Sequence, residues 1–280
     1  MIGRFFRGIW QEYVIDLRDR LDAEAALYRS TTPAGEVSRR IVSVFLTVIG
    51  VLIFVRFAGN ENDTRWMVQG LRAVGLDDVA ARLHDALNTS PDRRFHQRIV
   101  WAVGRLTGYL VPTLLVARLV LREPIRSLGL RVRGTARHLS IYAFFFAVMA
   151  PVLYVASLSP AFQAKYPYYK LARGEDLWPW FWGWEALYAA QFVALEFFYR
   201  GFFIHGIRRA LGYSSIFVMM VPYTMIHFGK PLPETLGSVL AGFILGTVSL
   251  KSDSIWGGCA IHVAVATSMD LLSLSHQGQL

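Results

Sequence analysis

Apolar positions along this chain gather into long runs instead of recurring singly. Seven runs read as membrane crossings, at about 41–58, 99–121, 139–158, 184–208, 214–229, 235–250 and 254–275. Each approaches the roughly 20 apolar residues that a helix needs to cross a bilayer core. In lipid a backbone must satisfy its own hydrogen bonds, so such runs fold as helices. The expected fold class is all-α: a polytopic integral membrane protein of about seven transmembrane helices. Between the first two runs lies a polar stretch, Asn60 to Gln97. Its spacing at Met67, Leu71 and Val74, then at Leu76, Val79, Leu83 and Leu87, predicts a helical hairpin broken at Gly75. The opening forty residues alternate charge with short apolar pieces such as Phe5, Phe6, Ile9 and Trp10. They lack the apolar core and cleavage site of a secretory signal. They read as an amphipathic helix on the membrane surface or as an ordinary cytoplasmic helix.

Composition agrees with this picture: 54% of the residues are hydrophobic and 18% charged, against ~45–50% and ~25% for soluble domains. The net charge of +9 changes the picture only in part. A basic balance can signal nucleic acid, but in a membrane protein it marks cytoplasmic loops, and no nucleic-acid partner is expected. The loop 122–138 carries Arg122, Arg126, Arg131, Arg133 and Arg137 against Glu123 alone, and Arg208 and Arg209 follow the fourth run. Placing both inside puts the N-terminus in the cytoplasm and the C-terminus outside, with the cell (inner) membrane as the location. The region 58–98 would then be outside, although it carries six Arg balanced by acids. The lone Cys259 excludes an intrachain disulfide. The chain divides at the basic loop, into 1–121 (surface helix, two spans and polar insert) and 122–280 (a compact five-span core). Trp178, Trp180, Trp182 and Trp184 form an aromatic belt at one interface, and Gly242 and Gly246 mark close helix packing.

Ionisable groups inside apolar runs are costly, so each raises a functional question. Glu196 and Arg200 lie four apart, share a helix face and can pair, as a structural ion pair or as part of a site. Glu196 precedes Gly212 by 16 residues and His227 follows it by 15. At ~1.5 Å per residue both stand roughly 23 Å from that turn, on adjacent antiparallel helices. A carboxylate and an imidazole at one depth are the parts needed to activate a water. His262 in the last run is the third member. Asp270, eight residues later, is too far along its helix to join it directly. Glu185 lies three turns before Glu196 on the same face, as a second acid or an interfacial residue, and His205 falls on the opposite face. No His-Glu-x-x-His motif, Gly-x-Ser-x-Gly elbow or phosphate-binding loop is present.

Laid out in order, these residues resemble the CPBP (CAAX protease and bacteriocin-processing, or Abi) family of intramembrane proteases. The family pattern is Glu-Glu-x-x-x-Arg, then Phe-x-x-x-His, then His-x-x-x-Asn or Asp, on successive helices. Leu195-Glu196-Phe197-Phe198-Tyr199-Arg200 resembles the first motif, Tyr223-Thr224-Met225-Ile226-His227 the second, and His262, preceded by Gly257-Gly258, the third. Leu128-Gly129-Leu130-Arg131 is similar to the usual lead-in, so the resemblance covers roughly 125–275. Three positions depart from it: Leu195 stands where the family has its leading Glu, Ala266 where it has Asn or Asp, and Tyr223, a conservative change, where it has Phe.

The resemblance implies an endopeptidase, related to the type II CAAX prenyl enzymes, cutting near the C-terminus of a membrane-associated or lipidated protein. Glu196 and His227 would polarise the water, and His262 would donate to the oxyanion. Arg200 would orient Glu196, and Asp270 would support the site. No cofactor is required in this version. In the metal version Glu196, His227 and His262 would hold zinc with an open position. Partners are then the bilayer and a membrane protein or peptide substrate. Two other readings stand beside it: a non-catalytic membrane scaffold or immunity factor, favoured by Leu195 and Ala266, and a proton-coupled transporter.

Overall fold

The structure, a computed structural model, describes residues 2–58, 64–172 and 174–280. Among these residues it is all helix, apart from one isolated bridge between Leu130 and Ser254. The N-terminal rod comprises α1 (Ile2–Trp10), a wider turn and α2 (Asp16–Thr31). After Pro33 comes α3 (Ala34–Ile53), followed by the hairpin α4 (Arg65–Ala73) and α5 (Asp77–Asn88). The hairpin breaks at Gly75, whose φ of +79° suits a residue without Cβ. This is the predicted break, although 59–63 at the head of the insert lie outside the described residues. Next are α6 (Arg93–Leu115), short α7 (Arg133–Arg137), α8 (Leu139–Ser157) and α9 (Pro160–Lys165). The core block follows: α10 (Trp182–Glu196), α11 (His205–Leu211), α12 (Ser215–Met225), α13 (Leu232–Ser252) and α14 (Trp256–His276).

Five helical stretches are long and apolar enough to cross a membrane, among the described residues: Ala34–Ala58, Arg93–Val120, Leu139–Ser157, Leu232–Ser252 and Trp256–His276. They carry the outward faces, where Leu46, Phe57, Leu119, Val155 and Leu236 are exposed, as side chains against lipid would be. The other two expected runs form helix of a different kind. The fourth is a continuous rod, α10 to α11, wound more widely over Phe197–Ile204 and buried at every one of those eight positions. The fifth, α12, has only 11 residues, about 16 Å against a core of ~30 Å. The rod is enclosed by protein and can carry charge, whereas α12 keeps Phe217, Val221 and Met225 exposed along one face.

The central rod is also where the two sequence blocks meet. Its Phe198 and Phe203 share one hydrophobic cluster with Val44 and Val48 of α3, Tyr109 of α6 and Met219 of α12. The N-terminal rod joins the same cluster: Leu17 and Leu21 of α2 are buried, Asp22 accepts the Tyr213 amide at 2.8 Å, and Arg29 donates to the Ala210 carbonyl. So α2 is an integral buttress, while α1 keeps Phe6 and Trp10 exposed. The basic segments gather at this end. Arg40 and Arg209 both reach Glu123, and Arg208 and Arg131 both reach Asp253. The expected grouping of loop 122–138 with Arg208 and Arg209 on one face is therefore observed. On α13, a Cβ at Gly242 would come within 3.0 Å of Met220, and one at Gly246 within 3.2 Å of Ile216. Small residues are what let α13 lie close on α12. The aromatic belt splits: Trp178 and Trp182 are exposed, whereas Phe181 and Trp184 turn inward.

Candidate active site

Three core helices deliver the polar residues to one point. Glu196 ends α10, where the helix widens; such widened turns recur at functional sites. The four-residue spacing to Arg200 survives the widening, and Arg200 Nη1 donates to Glu196 Oε1 at 2.9 Å, with both side chains fully buried. From α14, His262 Nδ1 approaches the same Oε1 at 2.6 Å. A carboxylate oxygen only accepts, so Nδ1 carries the proton and Nε2 is left as an acceptor. That acceptor lies 3.0 Å from the Tyr223 hydroxyl of α12. The Tyr223 ring lies under the Arg200 guanidinium, with the cation 4.1 Å from its centroid. Phe192, one turn before Glu196, stacks on the His262 ring at 5.1 Å and 12°.

His227 follows the end of α12, in the turn 226–229. Its Nδ1 is 2.8 Å from the Tyr223 carbonyl, which again can only accept. Nδ1 is therefore the protonated nitrogen, and Nε2 keeps a free lone pair on a half-buried ring. The ring meets Tyr223 edge-on at 5.0 Å, and Thr235 and the Lys230 amide hold the His227 carbonyl. The predicted pairing of Glu196 with His227 is thus replaced. Glu196 contacts His262, and His227 is joined to that pair through Tyr223.

Close approach of α14 depends on two glycines. A Cβ at Gly257 would overlap the Tyr142 ring, and one at Gly258 would lie 2.5 Å from Glu196 Oε2. Asp270 does not reach Glu196. It sits two turns along α14, where its Oδ1 accepts the Tyr168 amide at 3.0 Å. Glu185 is buried beside it and accepts from Thr267 at 2.6 Å, so it is not an acid at a cavity mouth. His205 is buried against Gly129, away from these groups, and Leu195 is buried in the main cluster. Among the described residues no group of three His, Cys, Asp or Glu side chains is arranged to hold a metal ion.

Tyr223 is the residue that sequence reasoning undervalued, as a mere stand-in for Phe. The available signal was its hydroxyl: a tyrosine four residues before His227 in an apolar helix needs a polar partner when buried.

Residues 177–268 match the family model of the type II CAAX prenyl endopeptidases, Rce1-like. The match opens at the aromatic belt, takes in Glu196, Arg200, Tyr223, His227 and His262, and ends two residues before Asp270. The motif resemblance is therefore borne out over this stretch. No curated protein and no solved structure matches the chain.

Proposed function

We propose that this chain is an intramembrane endopeptidase that cuts near the C-terminus of a membrane-associated or lipidated protein. The observation that carries this reading is the hydrogen-bonded series Arg200–Glu196–His262–Tyr223, with His227 beside it, inside the stretch similar to CAAX endopeptidases. A protein that only packed helices would have no need of four polar side chains linked in series. His227 Nε2 takes a proton from water as the water oxygen attacks the scissile carbonyl, and returns it to the departing amine nitrogen when the C–N bond breaks. The carbonyl oxygen gains the charge and is met by the Tyr223 hydroxyl, which turns to it from His262 Nε2. Losing one such contact costs ~2.7–4 kcal/mol of barrier. Glu196 acts through His262, holding its proton on Nδ1 so that Nε2 positions the Tyr223 hydroxyl, and Arg200 keeps Glu196 ionised. In this reading 122–280 is the catalytic block, 1–121 braces it, and the N-terminus is cytoplasmic in the inner membrane.

The second reading, a non-catalytic scaffold or immunity factor, is favoured by Leu195 at the leading-acid position and by the complete burial of Glu196 and Arg200. Purified protein in detergent, offered prenylated and unprenylated C-terminal peptides and co-encoded membrane proteins, separates the two. Cleavage by wild type, abolished in Glu196→Gln and His227→Ala and unaffected by EDTA, is the expected result. Loss on chelation with recovery on zinc would transfer the claim to a metalloenzyme. No cleavage, with both variants complementing a deletion strain, would leave the scaffold. Uptake into vesicles that both variants lose would mark a transporter.

A further inference from the structure

Away from these residues, α10 and α14 meet a second time around two acids that the proposed reaction does not use. Glu185 and Asp270 are 6% and 0% exposed, and their carboxyl groups lie within hydrogen-bonding reach of each other. One oxygen of each is satisfied: Glu185 Oε2 by the Thr267 hydroxyl and Asp270 Oδ1 by the Tyr168 amide. The other two, Glu185 Oε1 and Asp270 Oδ2, are buried without a donor among the described residues. The charged and titratable groups packed around them are all engaged elsewhere. Lys170 donates to the Tyr166 carbonyl, and Tyr166 donates to Glu234, which also pairs with Lys230. Arg98 and Lys165 lie over the Tyr168 ring, at 4.9 and 5.8 Å, and Tyr188 stacks on it. Among the described residues no cation is hydrogen-bonded to or ion-paired with either carboxyl group.

Two ionised carboxylates in contact and out of water are mutually excluded. A single proton between them satisfies both orphaned oxygens at once, making one group the donor and the other the acceptor. We propose that Glu185 and Asp270 form a proton-binding site that holds the Tyr166–Lys170 strap against the last helix. The strap is tied down through Asp270 to the Tyr168 amide and, next to it, by Ser273 and Gln277 on the Tyr166 carbonyl. Removing the shared proton leaves two anions that separate, and Asp270 gives up the Tyr168 amide. The strap also heads an aromatic stack. Tyr168 packs on Trp184 and Tyr188, Tyr188 on Phe192, and Phe192 on His262. Proton loss at the acid pair therefore reaches the His262 ring through side chains in contact. The proton site itself is independent of what reaction, if any, His262 serves.

Infrared spectroscopy of the full chain in detergent tests the site. Wild type at neutral pH is expected to show a protonated-carboxyl carbonyl band that shifts in heavy water. Glu185→Gln and Asp270→Asn are each expected to remove it. Absence of the band from wild type, or its survival in both variants, overturns the proposal. Sodium or calcium chloride, added at fixed pH, is expected to leave the wild-type melting temperature unchanged relative to Asp270→Asn. A selective rise would make this a cation site instead. The strap is read by trypsin cleavage after exposed Lys170, relative to cleavage after exposed Arg82. In wild type the ratio is expected to rise several-fold at alkaline pH as the band disappears, and in Glu185→Gln to stay flat. An equal rise in both breaks the link between proton and strap. Should the variants misfold, wild type still decides, because the band and the protection of Lys170 must titrate together.

Discussion

Glu196 meets two donors through a single oxygen, and that detail redistributes the chemistry among its neighbours. With Oε1 shared by Arg200 and His262, and the whole side chain buried, Glu196 sets a proton's position and does not touch bulk water. The nitrogen best placed to act on water is Nε2 of His227, because a backbone carbonyl already holds the other proton. Spacing along the chain made the Glu196–Arg200 pair readable, since four residues return to one helix face. It could not reveal that His262, and not His227, reaches Glu196, because that choice depends on how α12 and α14 are rotated about the rod. Tyr223 supplies a test at this scale. In Tyr223→Phe the ring still covers Arg200, but His262 loses its hydroxyl donor. A lost oxyanion contact of ~2.7–4 kcal/mol corresponds to a rate lower by roughly a hundredfold to a thousandfold, at nearly unchanged melting temperature. Peptide cleavage kinetics would read it, and an unchanged rate would show the hydroxyl to be idle.

Helices here are distinguished less by hydrophobicity than by what they must fit beside. The outer helices could be anticipated from run length alone, because lipid asks only for apolar side chains and internal hydrogen bonds. α12 could not. Its eleven residues end in the turn 226–229, where backbone groups find protein partners such as Thr235 on the His227 carbonyl although Phe228 itself is exposed. The glycines of α14 are a further requirement of fit. Gly258→Ala would ordinarily gain ~1 kcal/mol in a helix interior, but its methyl group would press on Glu196, which Arg200 and His262 hold in place. The variant is expected to melt lower and to lose cleavage. Gly237→Ala on α13, with no atom within 4 Å of its new Cβ, is expected to be neutral or stabilising. Thermal melts of the pair in one detergent would separate steric fit from helix propensity. Equal shifts would remove Gly258 from the account.

Taken whole, the molecule is a ring of lipid-facing helices around a charged rod, with the N-terminal segment clamped across one end. That clamp includes the Tyr13 hydroxyl, 2.6 Å from His138 Nδ1 at the head of α8, and Lys251 on Glu12. Burial, and then the nearby Lys251 charge, hold the His138 pKa below its ordinary value. The folded state therefore favours neutral imidazole. Stability is full above the unfolded pKa of ~6.5 and declines as pH falls below it, because the unfolded chain takes up the proton more readily. Between about pH 7.5 and about pH 5.5, on either side of that value, wild type is expected to lose more melting temperature than His138→Gln. Equal losses would mean that His138 does not couple to folding.

What the sequence determined by itself is what depends on local or one-dimensional rules. Run length specified helices in lipid, a four-residue step paired Glu196 with Arg200, Gly75 broke the hairpin, and motif order identified the resemblance over the core block. What tertiary structure decided is everything set by the relative rotation and depth of helices distant in sequence. That includes the transfer of Glu196 to His262, the entry of Tyr223, the removal of Asp270 to a second acid pair with Glu185, and the use of α2 as a buttress. Apolar periodicity fixes how far a helix can reach across a membrane. Which of its buried faces meets which neighbour is settled only when side-chain volumes and the few polar partners must all be satisfied together.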